Sequence, residues 1–230
     1  MSIALFSHAF VLGNAMFGDG GLRFGLVIAL SLSLWLAMLI YALENLITPL
    51  HQLLTYSAPI AAVFAFLPAL FDGHPQLVNT DSWAFRAHIV VAMLAYSLFT
   101  LAVFHGLLLA TAERSFHAAK FNPHKNLPPL LSLERLLFRL IGTAFVFLTL
   151  TVGSGLVFSE EIFGKPFTFS HKAFFGIASW LLFAGLLVGR RLYGWRGKLA
   201  TRWLLSGFLC LMLAYAGTRF VLEVLLQRSA

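Results

Sequence analysis

The sequence predicts an all-α protein, a polytopic bundle of about seven transmembrane helices. Three observations carry this expectation. Of 230 residues, 60% are hydrophobic and only 11% charged, with a mean hydropathy of +0.86. Seven apolar stretches approach the ~20 residues that a hydrocarbon core of ~30 Å requires of a helix. The Lys and Arg residues gather in alternate loops. A soluble domain carries roughly a quarter charged residues, and surface shrinks too slowly with size for a globular core to hide this much apolar side chain. Lipid acts as solvent for the excess.

The stretches follow in order. The first, 3–17, is marginal in length and ends at Gly18-Asp19-Gly20-Gly21. No Lys or Arg precedes it and no small-residue cleavage site follows, so it reads as a retained helix rather than a signal peptide. The second, 24–43, stops at Glu44-Asn45. The third, 53–71, contains Pro59 and Pro68 and is expected to kink. The fourth, 83–111, is the longest; 136–158, 172–188 and 203–226 complete the set. No linker or low-complexity tract divides the chain, so residues 1–230 read as a single integral membrane domain.

The loops set the expected orientation. The fourth-to-fifth connection holds Arg114, Lys120, Lys125 and Arg135, with Arg139 just beyond, and the sixth-to-seventh holds Arg190, Arg191, Arg196, Lys198 and Arg202. Against these ten stand Glu44, Glu113 and Glu134, a balance of +7, while the other side balances to zero. The positive-inside bias places the basic loops and the N-terminus in the cytoplasm and the C-terminus outside. It also accounts for the pI near 10.0 without a nucleic-acid partner, since no basic surface interleaved with aromatics is present. After Pro128-Pro129, Ser132 is expected to cap a helix, with Glu134 at the positive end of its dipole. Arg135 and Arg139 fall on one face and are expected to snorkel to the lipid headgroups.

Catalytic patterns such as GxSxG, HExxH and the Walker loop are absent, so no enzyme activity is assigned. Cys210 is the only cysteine and reads as a packed thiol. Gly185-x-x-x-Gly189 and Gly21-x-x-x-Gly25 match a small-residue packing pattern, with ordinary close helix packing as the default. Arg219 and Glu223 form a candidate i,i+4 pair in the last helix, Arg219 alternatively facing a haem propionate.

The eight histidines sort by placement. His51, His74, His117 and His124 fall in or near loops and read as solvated. His88 and His171 open two helices that run in the same direction, so they are expected at similar depth near the outer surface, with Arg86 and Lys172 beside them. Two imidazoles at matched depth are what a bis-histidine haem iron takes as axial ligands, and the cations suit the propionates. Interfacial histidines also serve as headgroup or backbone partners, and that reading stays open. His8 and His105 form a second candidate pair. Counted from the cytoplasmic ends of their helices, both are expected about 9–10 Å into the bilayer, where an ionisable group is a functional candidate. Two unrelated, locally bonded histidines are the alternative.

From about Ala87 onward the chain resembles a known family. The run Ala87-His88-Ile89 leading to Ala95-Tyr96 carries the resemblance, as do Pro128-Pro129-Leu130-Leu131-Ser132-Leu133-Glu134-Arg135 and Leu148-Thr149-Leu150 before Ser154-Gly155. His171-Lys172 and Gly194-Trp195-Arg196-Gly197 extend it. The chain looks like the cytochrome c assembly family, the CcsA/CcmC/HemX group, and most like its YpjD-type inner-membrane branch. The resemblance implies a multi-pass protein of the bacterial cytoplasmic membrane that binds or handles haem b in cytochrome c assembly, with cytochrome c biogenesis proteins or another membrane protein as partners. It implies His88 and His171 as outer haem-iron ligands and leaves His8 and His105 as the candidates for an inner pair. The segment 159–170 holds Phe163, Phe167 and Phe169 but none of the tryptophans that relatives carry there, and the N-terminus is expected to be one helix shorter than the family pattern. A b-type electron-transfer subunit and a haem-free structural partner are the competing readings.

The charge split predicts topology directly. A reporter fused after Ala230 is expected to be active only on the outer side of the membrane, and one inserted within 123–129 only in the cytoplasm; the reverse pattern overturns the orientation.

Overall fold

A computed structural model describes residues 1–17, 22–70, 76–77, 82–117, 128–157 and 170–217. Its helices are α1 (Ser2–Phe17), α2 (Leu26–Ile47), α3 (His51–Leu70), α4 (Trp83–His117), α5 (Leu130–Val157), α6 (His171–Tyr193) and α7 (Gly197–Met212). A short π-helical turn, Leu213–Gly217, continues α7. The only strands among the described residues are β1 (Arg23–Phe24) and β2 (Gln76–Leu77), which pair antiparallel and tie the α1–α2 and α3–α4 connections together. Helices are what lipid demands, because each backbone N–H and C=O must be satisfied within the segment.

Six helices, α2 to α7, are long and apolar enough to cross a membrane, with α7 counted through Tyr215. All seven expected helices are present, and α1, the marginal one in the sequence, is the short one. Its 16 residues reach ~24 Å, short of a hydrocarbon core of ~30 Å. Two side-chain bonds fix its register on α2: Trp35 Nε1 donates to the Leu5 carbonyl at 2.9 Å, and His8 Nε2 meets Ser31 Oγ at 2.8 Å. So α1 lies along the first two thirds of α2 and does not reach the level of Glu44. The helix α3 continues through Pro59 and Pro68.

The longest helix, α4, packs against α2 and α3 on one side and α5 and α7 on the other. It touches α6 through Phe99, which stacks on Phe183 with centroids 3.8 Å apart. Both rings are fully buried. The lipid-facing surface is apolar, with Phe10, Phe66, Val146, Leu150 and Leu181 all more than half exposed; a patch of this extent is foreign to a soluble monomer.

Two ends of the bundle are distinct. The histidine end carries β1, β2, the starts of α2, α4 and α6 and the end of α5. The basic end carries the α2–α3 turn, the start of α5 and the α6–α7 turn. Ser132 does not cap α5. The helix begins two residues earlier, directly after Pro128-Pro129, and the N–H groups of Ser132 and Leu133 both bond the Pro129 carbonyl. Likewise Arg190 and Arg191 are not in a loop. They form the last turn of α6, where cations suit the negative end of the helix dipole, and Gly194 closes the helix with φ +65°.

Close approach of α6 and α7 depends on missing side chains. Ser179 Oγ donates to the Gly207 carbonyl at 2.9 Å, and a Cβ on Gly207 would stand 2.9 Å from the Phe183 ring. That ring is held by Phe99 and has nowhere to move. Gly207→Ala is therefore expected to destabilise the protein in detergent by about 1–3 kcal/mol. Gly142→Ala, whose Cβ meets nothing within 4 Å, is expected to be neutral or stabilising; equal melting temperatures for the two variants would refute this packing account.

Candidate functional site

The residues predicted for the outer site all lie at the histidine end, at the starts of α4 and α6, and each is placed by a local device. Ser170 caps α6 by accepting the Ala173 N–H at 3.4 Å, which makes His171 and Lys172 the first two residues of the helix; both are exposed. Ser82 accepts the Phe85 N–H at 3.3 Å just ahead of Arg86 and His88. Arg86 is exposed and His88 half-buried. Phe99 and Phe183 share a level through their stacking, and His88 lies eleven residues before the first while His171 lies twelve before the second. Their backbones differ in depth by about one residue, roughly 1.5 Å.

Hydrogen bonding defines the state of His88. Its Nδ1 lies 2.8 Å from Ser154 Oγ on α5, and that hydroxyl donates its single proton to the Thr151 carbonyl at 3.1 Å. The bond to Ser154 ties the ring to α5 and fixes its orientation. Histidines that bind metals use this device: the other nitrogen is held by a partner that fixes tautomer and ring orientation. Gly155 lies under the ring, where an added Cβ would meet His88 Cε1 at 3.6 Å.

The inner pair does not come together. His8 and His105 are both buried, but they bond to opposite ends of α2. His8 meets Ser31, while His105 Nε2 lies 2.9 Å from Glu44 Oε1. Those partners are thirteen residues apart, about 20 Å along a helix. The shared depth expected from sequence assumed that α1 begins at the membrane surface; instead α1 stands beside the far portion of α2. His105 also uses both nitrogens, since Nδ1 donates to the Leu101 carbonyl at 3.0 Å. Its Nε2 and Glu44 form a buried pair, and the Glu44 Oε2 atom is buried without a hydrogen-bond partner among the described residues.

His51 is exposed at the start of α3. His74, His124, Gly21, Arg219, Glu223 and the segment 158–169 with its three phenylalanines lie outside the described residues.

Sequence reasoning missed a cluster at the basic end. Glu134, expected only to face the positive end of the helix dipole, is buried and binds Arg190 Nη1 across the α5–α6 interface. The same Nη1 donates to the Trp195 carbonyl at 3.3 Å, and the guanidinium lies 4.6 Å from the Phe138 ring centroid. Trp195 covers Gly189, leaving no room for a side chain there, and Trp203 covers Gly185, whose added Cβ would be 2.9 Å from the ring. The two rings pack together at 4.8 Å. The Gly185-x-x-x-Gly189 spacing thus serves tryptophan rings from the α6–α7 turn and α7. The available signal was a carboxylate in an otherwise basic segment, in register with the Arg-Arg pair that ends α6.

The fold and these two clusters define a class: a multi-helix membrane protein with an oriented histidine at one end and a buried ion pair with tryptophans at the other. The chain belongs to the cytochrome C assembly protein family, whose model matches residues 1–226. It is 28% identical to the inner membrane protein YpjD of Escherichia coli K12 over 231 aligned residues, covering 97% of this chain and 85% of that protein. It is also similar to proteins named cytochrome c biogenesis protein CcsA: 26% identical to that of Chlamydomonas reinhardtii over 162 residues, 70% of this chain and 45% of the relative. The similarity to the Heterosigma akashiwo protein of that name is 36% over 92 residues, 40% of this chain and 29% of the relative. The chain thus spans under half of those longer relatives. No solved structure matches it.

The basic-end cluster yields a stability prediction. Glu134→Gln removes the counter-charge of Arg190 and is expected to cost about 3 kcal/mol, the low end for breaking a buried pair, because the Arg190 side chain keeps 28% exposure. Chemical unfolding of the detergent-solubilised protein checks this; a loss under 1 kcal/mol would mean that the pair is dispensable.

Proposed function

We propose that this chain is a multi-pass protein of the bacterial inner membrane that holds haem b at its histidine end and serves cytochrome c biogenesis. His88 and His171 would hold the haem iron, and Arg86 and Lys172 would attract its propionates. The observation that carries the reading is the hydrogen-bond chain from His88 through Ser154 to Thr151, which supports this reading by holding the ring in a fixed orientation, as a ligand's partner does. Family membership and the names of the relatives support the process, and the YpjD relative's name supports the location. The charge split supports an orientation with the basic end in the cytoplasm and the histidine end outside. A cytochrome c biogenesis protein is the partner this reading implies. Haem supplies the redox-active iron when bound; the protein's part is to ligate, orient and shield it.

The protein expressed with ample haem is expected to show a low-spin b-type spectrum, because two imidazoles give a strong axial field. His88→Ala and His171→Ala each remove six-coordination, whereas His51→Ala leaves the spectrum intact. Ser154→Ala is expected to weaken haem retention by about 10–100-fold, the usual cost of losing a ligand's supporting partner. Full low-spin haem in the double His88/His171 alanine variant refutes this site. Transfer of haem to an acceptor, as against reversible reduction by quinol, separates assembly from electron transfer.

A further inference from the structure

Beside the start of α5, at the basic end, Thr48, Pro128, Ser132, Leu133, Arg135, Leu136 and Arg139 line an open cavity of about 210 Å³. Arg135 and Arg139 stand one turn apart and are exposed. Arg135 is folded back along the helix, with Nη2 donating to Ser132 Oγ at 3.2 Å and Nε to the Leu131 carbonyl at 3.4 Å. Arg139 makes no hydrogen bond among the described residues, and neither arginine has a carboxylate partner there. Of the three carboxylates on this side, Glu44 is bonded to His105, Glu134 to Arg190, and Glu113 lies beside Gly197 at the start of α7. Among the described residues the cavity therefore carries two positive charges without a carboxylate counter-charge.

Depth decides what neutralises them. The 28 residues of α5 span about 42 Å, roughly 12 Å more than the hydrocarbon core. If the excess is shared between its ends, Arg139, the tenth residue, has its backbone about 8 Å inside the hydrocarbon. Its guanidinium must reach back toward Arg135 and needs an anion at headgroup level. Below the arginines the same exposed face of α5 continues as Thr143, Val146 and Leu150, a surface suited to acyl chains. Leu133, Leu136 and Pro128 make the rest of the wall apolar. A ligand with a charged head and long apolar tails fits this gradient.

We propose that Arg135 and Arg139 form a binding site for the phosphate of a net-anionic phospholipid, with its acyl chains along α5. A zwitterionic lipid matches the site less well, because its own cationic group meets two guanidinium groups. This site is independent of the haem reading and lies at the other end of the bundle.

The test is native mass spectrometry of the full chain released from detergent after incubation with phosphatidylglycerol, with phosphatidylcholine, or with inorganic phosphate alone. The wild-type protein is expected to retain one phosphatidylglycerol in preference to phosphatidylcholine. The Arg135→Gln/Arg139→Gln variant is expected to bind it about thirty-fold more weakly, at roughly a factor of five per lost cation. Arg191→Gln/Arg202→Gln removes two exposed charges from the same end and should leave retention unchanged. Arg135→Lys/Arg139→Lys, which keeps the charge, should retain most of it even if the glutamine pair folds poorly. Equal retention of both lipids by the wild type, equal loss in both charge-removing pairs, or displacement of the lipid by millimolar phosphate would each overturn the proposal, the last by making the site one for free phosphate.

Discussion

Inside a bilayer a polar group has no water to fall back on, and this constraint organises the rest of the molecule. The backbone meets it by forming helices. The side chains meet it by pairing, and α2 carries a series of such pairs. Ser31 takes His8, Trp35 takes the Leu5 carbonyl, Tyr41 donates to the Leu50 carbonyl, and Glu44 takes His105. Each bond sets the height of one element against α2, so the polar groups do for this bundle what interdigitated apolar side chains cannot do alone. Between helices surrounded by lipid, apolar contact carries little driving force and is nearly indifferent to sliding.

The other half of the bundle adds size to polar pairing such as Ser179 to the Gly207 carbonyl and Trp180 to Thr149. Gly185, Gly189 and Gly207 admit Trp203, Trp195 and Phe183 against bare backbone. Phe183 then reaches Phe99 and brings α6 to α4. Arg190, Glu134 and Trp195 close the basic end of this half. The family motifs noted in the sequence are therefore neighbours in space. The acidic residue after Pro128-Pro129 and the Gly194-Trp195 turn belong to one cluster, a structural role that a linear motif does not disclose.

The sequence was informative where hydropathy is informative. The helices predicted at 24–43 and 53–71 lie within a few residues of Leu26–Ile47 and His51–Leu70. Elsewhere hydropathy reported lipid contact rather than helical backbone. It started α5 at 136 because Glu134 and Arg135 interrupt the apolar run, yet the helix begins at Leu130 since Glu134 has a partner on α6. It ended α6 at 188 because Arg190 and Arg191 follow, although both stand in the last turn. Depth was legible where two helices run in the same direction from the same surface, as for His88 and His171. It was not legible for His8, because nothing in the order of residues says how far α1 slides along α2. The partners that decide it are 23 and 30 positions away.

The buried histidine and the half-buried one illustrate opposite uses of an imidazole. At His105 both nitrogens are spent, one on a carbonyl that can only accept and one on Glu44. Recruiting it to a metal would break the Glu44 bond and isolate a carboxylate whose second oxygen already lacks a partner, a cost of several kcal/mol in a low-dielectric interior. Its present bonds make it a fastener between α2 and α4. At His88 the Nδ1 atom is held by the Ser154 hydroxyl, which also reaches the Thr151 carbonyl, so the supporting bond fixes the ring against α5. A fastener and a ligand need the same residue type in a membrane helix. What separates them is the chemistry of the partner: a buried carboxylate on α2 at His105, which would be stranded if the ring turned away, and a hydroxyl on α5 at His88, which keeps a second acceptor in Thr151.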